Sequence, residues 1–270
     1  MSRKLIFLIC FALAGCTSIT NNSSYRSALQ AFHEENYSQA LALFKQAAIA
    51  GNSDAQAIVG RMYYRGEGVP QNFNEAAVWL ERAARNGNVA AQSKLGFMYA
   101  TGTGVALNEA TALEWYKKAA RQGNANAQYN LATAYVNGYG TKIDYQKAYS
   151  WYKQAANQGV SGAQNNLGAL YRNGEGVATN YTEAVKWFRL AARQGNKYAQ
   201  LNLAGVYSGG KGVQKNLIKA LMWANLAAAN GVENANSARL NLANRMSLQQ
   251  QNEAKQLAIQ CFKSDYQNCD

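Results

Sequence analysis

The chain has 270 residues, 48% of them hydrophobic, with a net charge of +12, one proline and one histidine. So little proline suits a protein that is mostly helix, because proline breaks helix interiors. The lone histidine, His33, and the lack of any HExxH, CxxC, GxSxG or Walker-type pattern exclude the common catalytic and metal-binding constellations, so no cofactor or metal is expected.

Arg3 and Lys4 precede an apolar run from Leu5 to Ala14, the charged-then-apolar order of a secretory signal. The run is too short to cross a bilayer of ~30 Å as a helix. It ends in Leu13-Ala14-Gly15-Cys16, which resembles the lipobox of bacterial lipoproteins. That resemblance implies removal of residues 1–15 and acylation of Cys16, with palmitate among the attached chains. Thr17 stands where an aspartate would favour the inner membrane, which points to the outer membrane. Several acyl chains anchor a protein where one holds it only marginally. An ordinary cleavable signal with an incidental cysteine is the alternative. Residues 16–24 are small and polar and read as a flexible tether.

From residue 52 to 231 the chain repeats every 36 residues. Gly51, Gly87, Gly123, Gly159, Gly195 and Gly231 hold this spacing without slippage, as do Trp79, Trp115, Trp151, Trp187 and Trp223. Tyr63, Tyr99, Tyr135, Tyr171 and Tyr207 follow it too. In the unit 88–123, Ala91, Leu95 and Tyr99 mark one helix face. Gly102 and Gly104 break that helix, and a second presents Ala112, Trp115, Ala119 and Ala120 inward. Each unit is therefore a helical hairpin that must stack on its neighbours to complete a core.

The Ala-Gln pairs (Ala55-Gln56, Ala91-Gln92, Ala127-Gln128, Ala163-Gln164, Ala199-Gln200) and the Gly-x-Gly-Val turns at Gly66, Gly174 and Gly210 resemble the Sel1-like repeats, relatives of the tetratricopeptide repeat. The third unit departs from the pattern with Thr141 in place of valine. The fold implied is all-α, an α/α superhelical solenoid. Residues 25–51 follow tetratricopeptide spacing through Ala28, Ala40, Phe44 and Ala47, without four of the loop residues, and read as an N-terminal capping hairpin. After Gly231 the register drifts, so residues 232–270 read as a C-terminal cap whose last helix has Ser247 as its N-cap. Cys261 and Cys269 would stand ~12 Å apart on a continuous helix, too far for a bridge. Their pairing, which is expected, requires the helix to end near Lys263 and the tail to fold back.

Positions identical in all units are explained by packing, whereas variable ones on a shared face are candidates for partner contact. The sets beginning at Asp54, Ala57, Ile58, Arg61 and Arg65 lie at offsets of 3, 4, 7 and 11, which makes one stripe of the first helix. In tetratricopeptide arrays that stripe lines the concave groove. Asn130, Asn166 and Asn202 form a ladder on it, with Asn165 alongside, and an amide that donates and accepts suits an extended peptide backbone. Arg61, Arg65, Lys94, Phe97 and Tyr129 add cations and aromatic surface of the kind enriched at binding hot spots. A merely solvated face is the alternative.

Without residues 1–15 the charge is 25 − 15 = +10, which steers acidic partners. The export signal argues against nucleic acid. The sequence thus predicts a monomeric, non-enzymatic scaffold of the bacterial cell envelope, lipid-anchored at the outer membrane and facing the periplasm. It would bind an acidic protein or peptide in the groove. Binding of peptidoglycan or lipopolysaccharide is the second reading. A third is β-lactam binding or hydrolysis, associated with Sel1-like proteins that carry paired cysteines in most repeats. It is weakened because no cysteine lies between Cys16 and Cys261.

Overall fold

The computed structural model describes residues 23–267 and 269. The proposed signal, Cys16 and most of the tether lie outside the described residues. Two compact units divide the chain between Ala127 and Gln128. Among the described residues all regular structure is helical, and no helix is long and apolar enough to cross a membrane.

The first unit contains α1 (residues 23–33), α2 (Tyr37–Ile49), α3 (Ser53–Arg65), α4 (Phe73–Arg85), α5 (Val89–Thr101) and α6 (Glu109–Arg121), and ends in the first turn of α7 (Ala125–Asn137). In the second, α7 is followed by α8 (Tyr145–Asn157), α9 (Ser161–Asn173), α10 (Tyr181–Ala192), α11 (Lys197–Gly209), α12 (Leu217–Ala229), α13 (Ala235–Ala243) and α14 (Leu248–Lys263). Tandem hairpins of the solenoid class are thus the architecture; α2 to α6 and α8 to α13 pack in succession, and α14 packs on α12.

Local chemistry sets the helix ends. Asn72 accepts the Glu75 N–H and Asn88 that of Ala91, satisfying donors that have no intrahelical partner. At the other end of α5, Gly102 adopts φ 67° and Gly104 φ 69°, both left-handed. A Cβ on Gly104 would overlap the carbonyl of Phe73, the first residue of α4, so this loop packs against the preceding hairpin. The loop closes where the Asn108 N–H donates to the Tyr99 carbonyl at 2.9 Å. Between α1 and α2 the connection is only residues 34–36, with no Gly-x-Gly turn.

In three of the repeats the two helices of a hairpin approach closely because the first carries a glycine at their contact, whereas Ala132 and Ala204 stand at this register in the third and fifth. A Cβ on Gly96 would lie 2.7 Å from the Tyr116 ring, one on Gly60 2.7 Å from Leu80, and one on Gly168 2.8 Å from Phe188. The facing alanines are fully buried, among them Ala91, Ala119, Ala163 and Ala191. Trp115 and Trp187 are nearly so. Where Trp79 and Trp115 reach the surface, Arg82 and Lys118 lie over their rings at 4.7 and 4.2 Å.

The glutamine of each Ala-Gln pair is buried. Gln92, only 4% exposed, donates from Nε2 to the Ala84 carbonyl at the end of α4 and accepts from Gln122 Nε2, which caps α6, at 2.8 Å. Gln56 bonds in the same way to Ala48 and Asn86, and Gln164 to Ala156 and Gln194. One amide side chain therefore ties its own hairpin together and fastens it to the one before.

At the C-terminal end, Ser247 and Gln250 form a reciprocal capping box on α14. The helix stops at Lys263, and Cys261 is disulfide-bonded to Cys269 with Cα atoms 4.7 Å apart. The returning tail places the Tyr266 hydroxyl against Asn230 Nδ2, itself a donor to Gln200.

Replacing Gln92 by leucine removes one hydrogen bond from the Ala84 carbonyl, which keeps the Gly87 N–H, and one from Gln122 Nε2, which keeps the Lys118 carbonyl. The expected loss is about 1 kcal/mol, measured by chemical denaturation. Gln260→Ala, on the exposed side of α14, should stay within about 0.5 kcal/mol.

Candidate functional site

In the first unit a pocket of about 520 Å³ opens on the side of α3 that carries the variable stripe. Arg61, Arg65 and Lys94 line it, joined by Tyr25, Asp54 and Tyr64. Their placement follows from helix periodicity. Asp54, Ile58, Arg61 and Arg65 recur at i, i+4, i+7 and i+11 on α3, and Ala90, Lys94 and Phe97 at i, i+4 and i+7 on α5.

The cations of this pocket are oriented by rings. Lys94 Nζ sits 3.4 Å from the centroid of Tyr64 and 4.9 Å from that of Phe97, and the Arg61 guanidinium 5.3 Å from Phe32. Neither Arg61 nor Lys94 makes an ion pair with a described residue, whereas Arg65 pairs with Glu67 at 3.3 Å. Asp54 accepts from Asn88 Nδ2 at 2.8 Å, which holds the carboxylate to the start of α5. Burial raises the Tyr25 pKa, with the Asp54 charge acting in the same direction and Arg61 opposing. A carboxylate entering here would meet two donors already positioned by aromatic faces. Phe97, 39% exposed, stands beside Lys94 as apolar surface.

Asp54 lies on the variable stripe read from the sequence, whereas Tyr25, Tyr64 and Asn88 escaped selection. For Tyr64 a signal existed, since Ala100, Val136, Arg172 and Ser208 occupy its register in the other repeats. Tyr25 precedes the repeats and had no internal comparison.

Tyr129, Asn130, Asn165, Asn166 and Asn202 belong to the second unit, where all five are half-buried. Three of the asparagines are joined in one chain of hydrogen bonds. Arg172 donates to Asn202 at 2.7 Å, Asn202 to Asn165 at 2.9 Å and Asn165 to Asn166 at 3.1 Å. Asn166 donates to the Tyr152 hydroxyl at 2.9 Å, and that hydroxyl also meets Thr133. Burial pushes the Tyr152 pKa up to about 12, keeping the phenol neutral. Tyr129 packs its ring 5.9 Å from that of Tyr152 and against Gly162. These amides therefore spend one N–H and one lone pair each inside the protein, which leaves half of their capacity for a ligand. Among the described residues no group of three or more His, Cys, Asp or Glu is placed to hold a metal ion.

Asn166→Ala should cost about 1 kcal/mol, because the buried Tyr152 hydroxyl keeps Thr133 as a partner. Asn166→Ala combined with Thr133→Ala strips both partners and should cost more than the sum of the single changes, measured by a double-mutant cycle in urea.

The repeats match the family model described as Sel1 repeat at residues 30–52, 53–88, 89–124, 125–160, 161–196 and 197–232. The short first unit is thus matched as well. The fold is similar to that of a Sel1 repeat protein from Oxalobacter formigenes, with 33% identity and a TM-score of 0.73 over 78% of this chain and 84% of that one. It is also similar to a protective antigen of uropathogenic Escherichia coli displaying an SLR fold, with 26% identity and a TM-score of 0.65. That match takes in 91% of this chain but spans only 62% of the antigen's length. No curated protein matches the chain. The tandem hairpins, their glycine contacts and six matched repeats make this chain a member of the Sel1 repeat family.

Proposed function

We propose that the chain is an interaction scaffold that receives an acidic segment of a partner protein in the pocket of its first unit. Sel1 repeat proteins act generally as protein–protein interaction scaffolds and are typically non-enzymatic. The observation that carries the finer reading is the state of Arg61 and Lys94, which lie over aromatic rings and lack carboxylate partners among the described residues. Cations held this way keep their donors aimed into the pocket, and the rings reduce the rotamer entropy lost on binding. A volume of about 520 Å³ accommodates a few side chains. The charge of +10 that remains without residues 1–15 extends the attraction to longer range.

The proposal includes the setting. The Leu13-Ala14-Gly15-Cys16 sequence supports a lipid anchor on Cys16, an envelope location and presentation of the repeats from the outer membrane to the periplasm. Metabolic labelling with radioactive palmitate should mark the protein and fail to mark Cys16→Ser. Equal labelling of both would remove the anchor.

The pocket is tested by placing a photocrosslinking residue at Ala90, an exposed lining position, and identifying what is captured in cells. The Arg61→Glu, Lys94→Glu pair should lower capture of the protein partner at least tenfold with unchanged circular dichroism. Undiminished capture refutes the assignment, and capture of lipopolysaccharide or peptidoglycan in place of protein favours the envelope-polymer reading.

A further inference from the structure

We propose that a groove between α12, α13 and α14 is a second docking site, shaped for an acidic amphipathic helix. The groove measures about 680 Å³ and is lined by different residues from the first pocket. Internal comparison shows how it arises. On α12, Leu226 stands where Arg82, Lys118, Gln154 and Leu190 stand in earlier units, and Ala229 where Arg85, Arg121, Asn157 and Arg193 stand. Positions that are charged or polar in most earlier units are both apolar here. α13 and α14 cover part of this face, burying Met222 and Leu226. They leave the strip beside Ala229 open, walled by Ile259 at 38% and Phe262 at 62% exposure.

The rim identifies the occupant. Arg239, Lys255 and Lys263 line the groove, no carboxylate does, and none of the three makes an ion pair with a described residue. Lys255 and Lys263 lie eight residues apart on α14, a separation of ~12 Å along the helix. A ligand with a single anionic head meets one of them. A helix with acids two turns apart, flanking an apolar stripe at i, i+3 or i+4 and i+7, meets both while burying its stripe on Ile259 and Phe262. A second copy of this chain would set the same three cations against themselves, which like-charge repulsion opposes.

The test is selection of a displayed library of 16-residue helical peptides against the immobilised full chain. Enriched peptides are expected to carry Asp or Glu beside an apolar i, i+4, i+7 stripe. They should bind Lys255→Glu, Phe262→Ala at least tenfold more weakly and bind Arg61→Glu, Lys94→Glu unchanged. Both α14 positions are exposed, so the fold should survive, as circular dichroism will verify. Lys255→Glu alone should cost at least threefold. The proposal is overturned if no enriched peptide depends on Lys255 and Phe262, or if those that do are basic. It is equally overturned if dodecanoate saturates the groove at micromolar concentration and displaces the peptides, which assigns the site to a single-chain amphiphile. Loss of binding in the Arg61 and Lys94 pair alone would instead bear on the first-unit pocket.

Discussion

Everything in this protein depends on a polar group in the wrong place for an unassisted core. A neutral amide buried among alanines and leucines is costly when it is left without partners. Gln56, Gln92 and Gln164 each donate to a carbonyl of the preceding hairpin and accept from a capping amide of their own. Apolar contact alone is tolerant of sliding, because one alanine-lined surface fits another in several offsets. The glutamine accepts one offset. Stacking is thereby made specific, and the helix ends that cap each hairpin are satisfied by the same bonds that join it to the last.

With the framework so fixed, the first-helix stripe is released from structural duty and varies from repeat to repeat. In the first unit this freedom is used to gather cations over rings. That arrangement differs from a surface ion pair in what it leaves available. A carboxylate partner would consume the donors of Arg61 and Lys94, whereas an aromatic face orients the side chain and leaves its N–H groups for a newcomer. In the second unit the corresponding positions were turned inward, into the chain from Arg172 to Tyr152.

The helical hairpins were legible from the strict 36-residue spacing, because glycine, tryptophan and tyrosine each answer a local demand that recurs with the period. The cationic half of the binding surface was legible for the same reason, by departure from it. The bonds of the Ala-Gln pairs were not. Gln92 finds its partners at Ala84 and Gln122, eight residues before it and thirty after, and no helical periodicity links those positions. The asparagine register was visible in the sequence, but Arg172 and Tyr152, which belong to other elements, decide where those amides point. Asp54 was on the stripe, but its bond to Asn88 escaped for the same reason, because it crosses a repeat boundary.

The glycine contacts inside the hairpins carry an evolutionary consequence. Gly60 with Leu80, Gly96 with Tyr116 and Gly168 with Phe188 are matched pairs, each twenty residues apart within a single repeat. Duplication of a whole repeat copies both members, so the array can lengthen without any steric conflict. Recombination that exchanges only one helix separates them and demands readjustment at the contact, where the third and fifth repeats carry Ala132 and Ala204 at the glycine register. Growth by complete modules is the route that keeps each pair intact, and the cut site for any designed chimaera belongs between repeats, at the turns around Gly87, Gly123, Gly159 and Gly195.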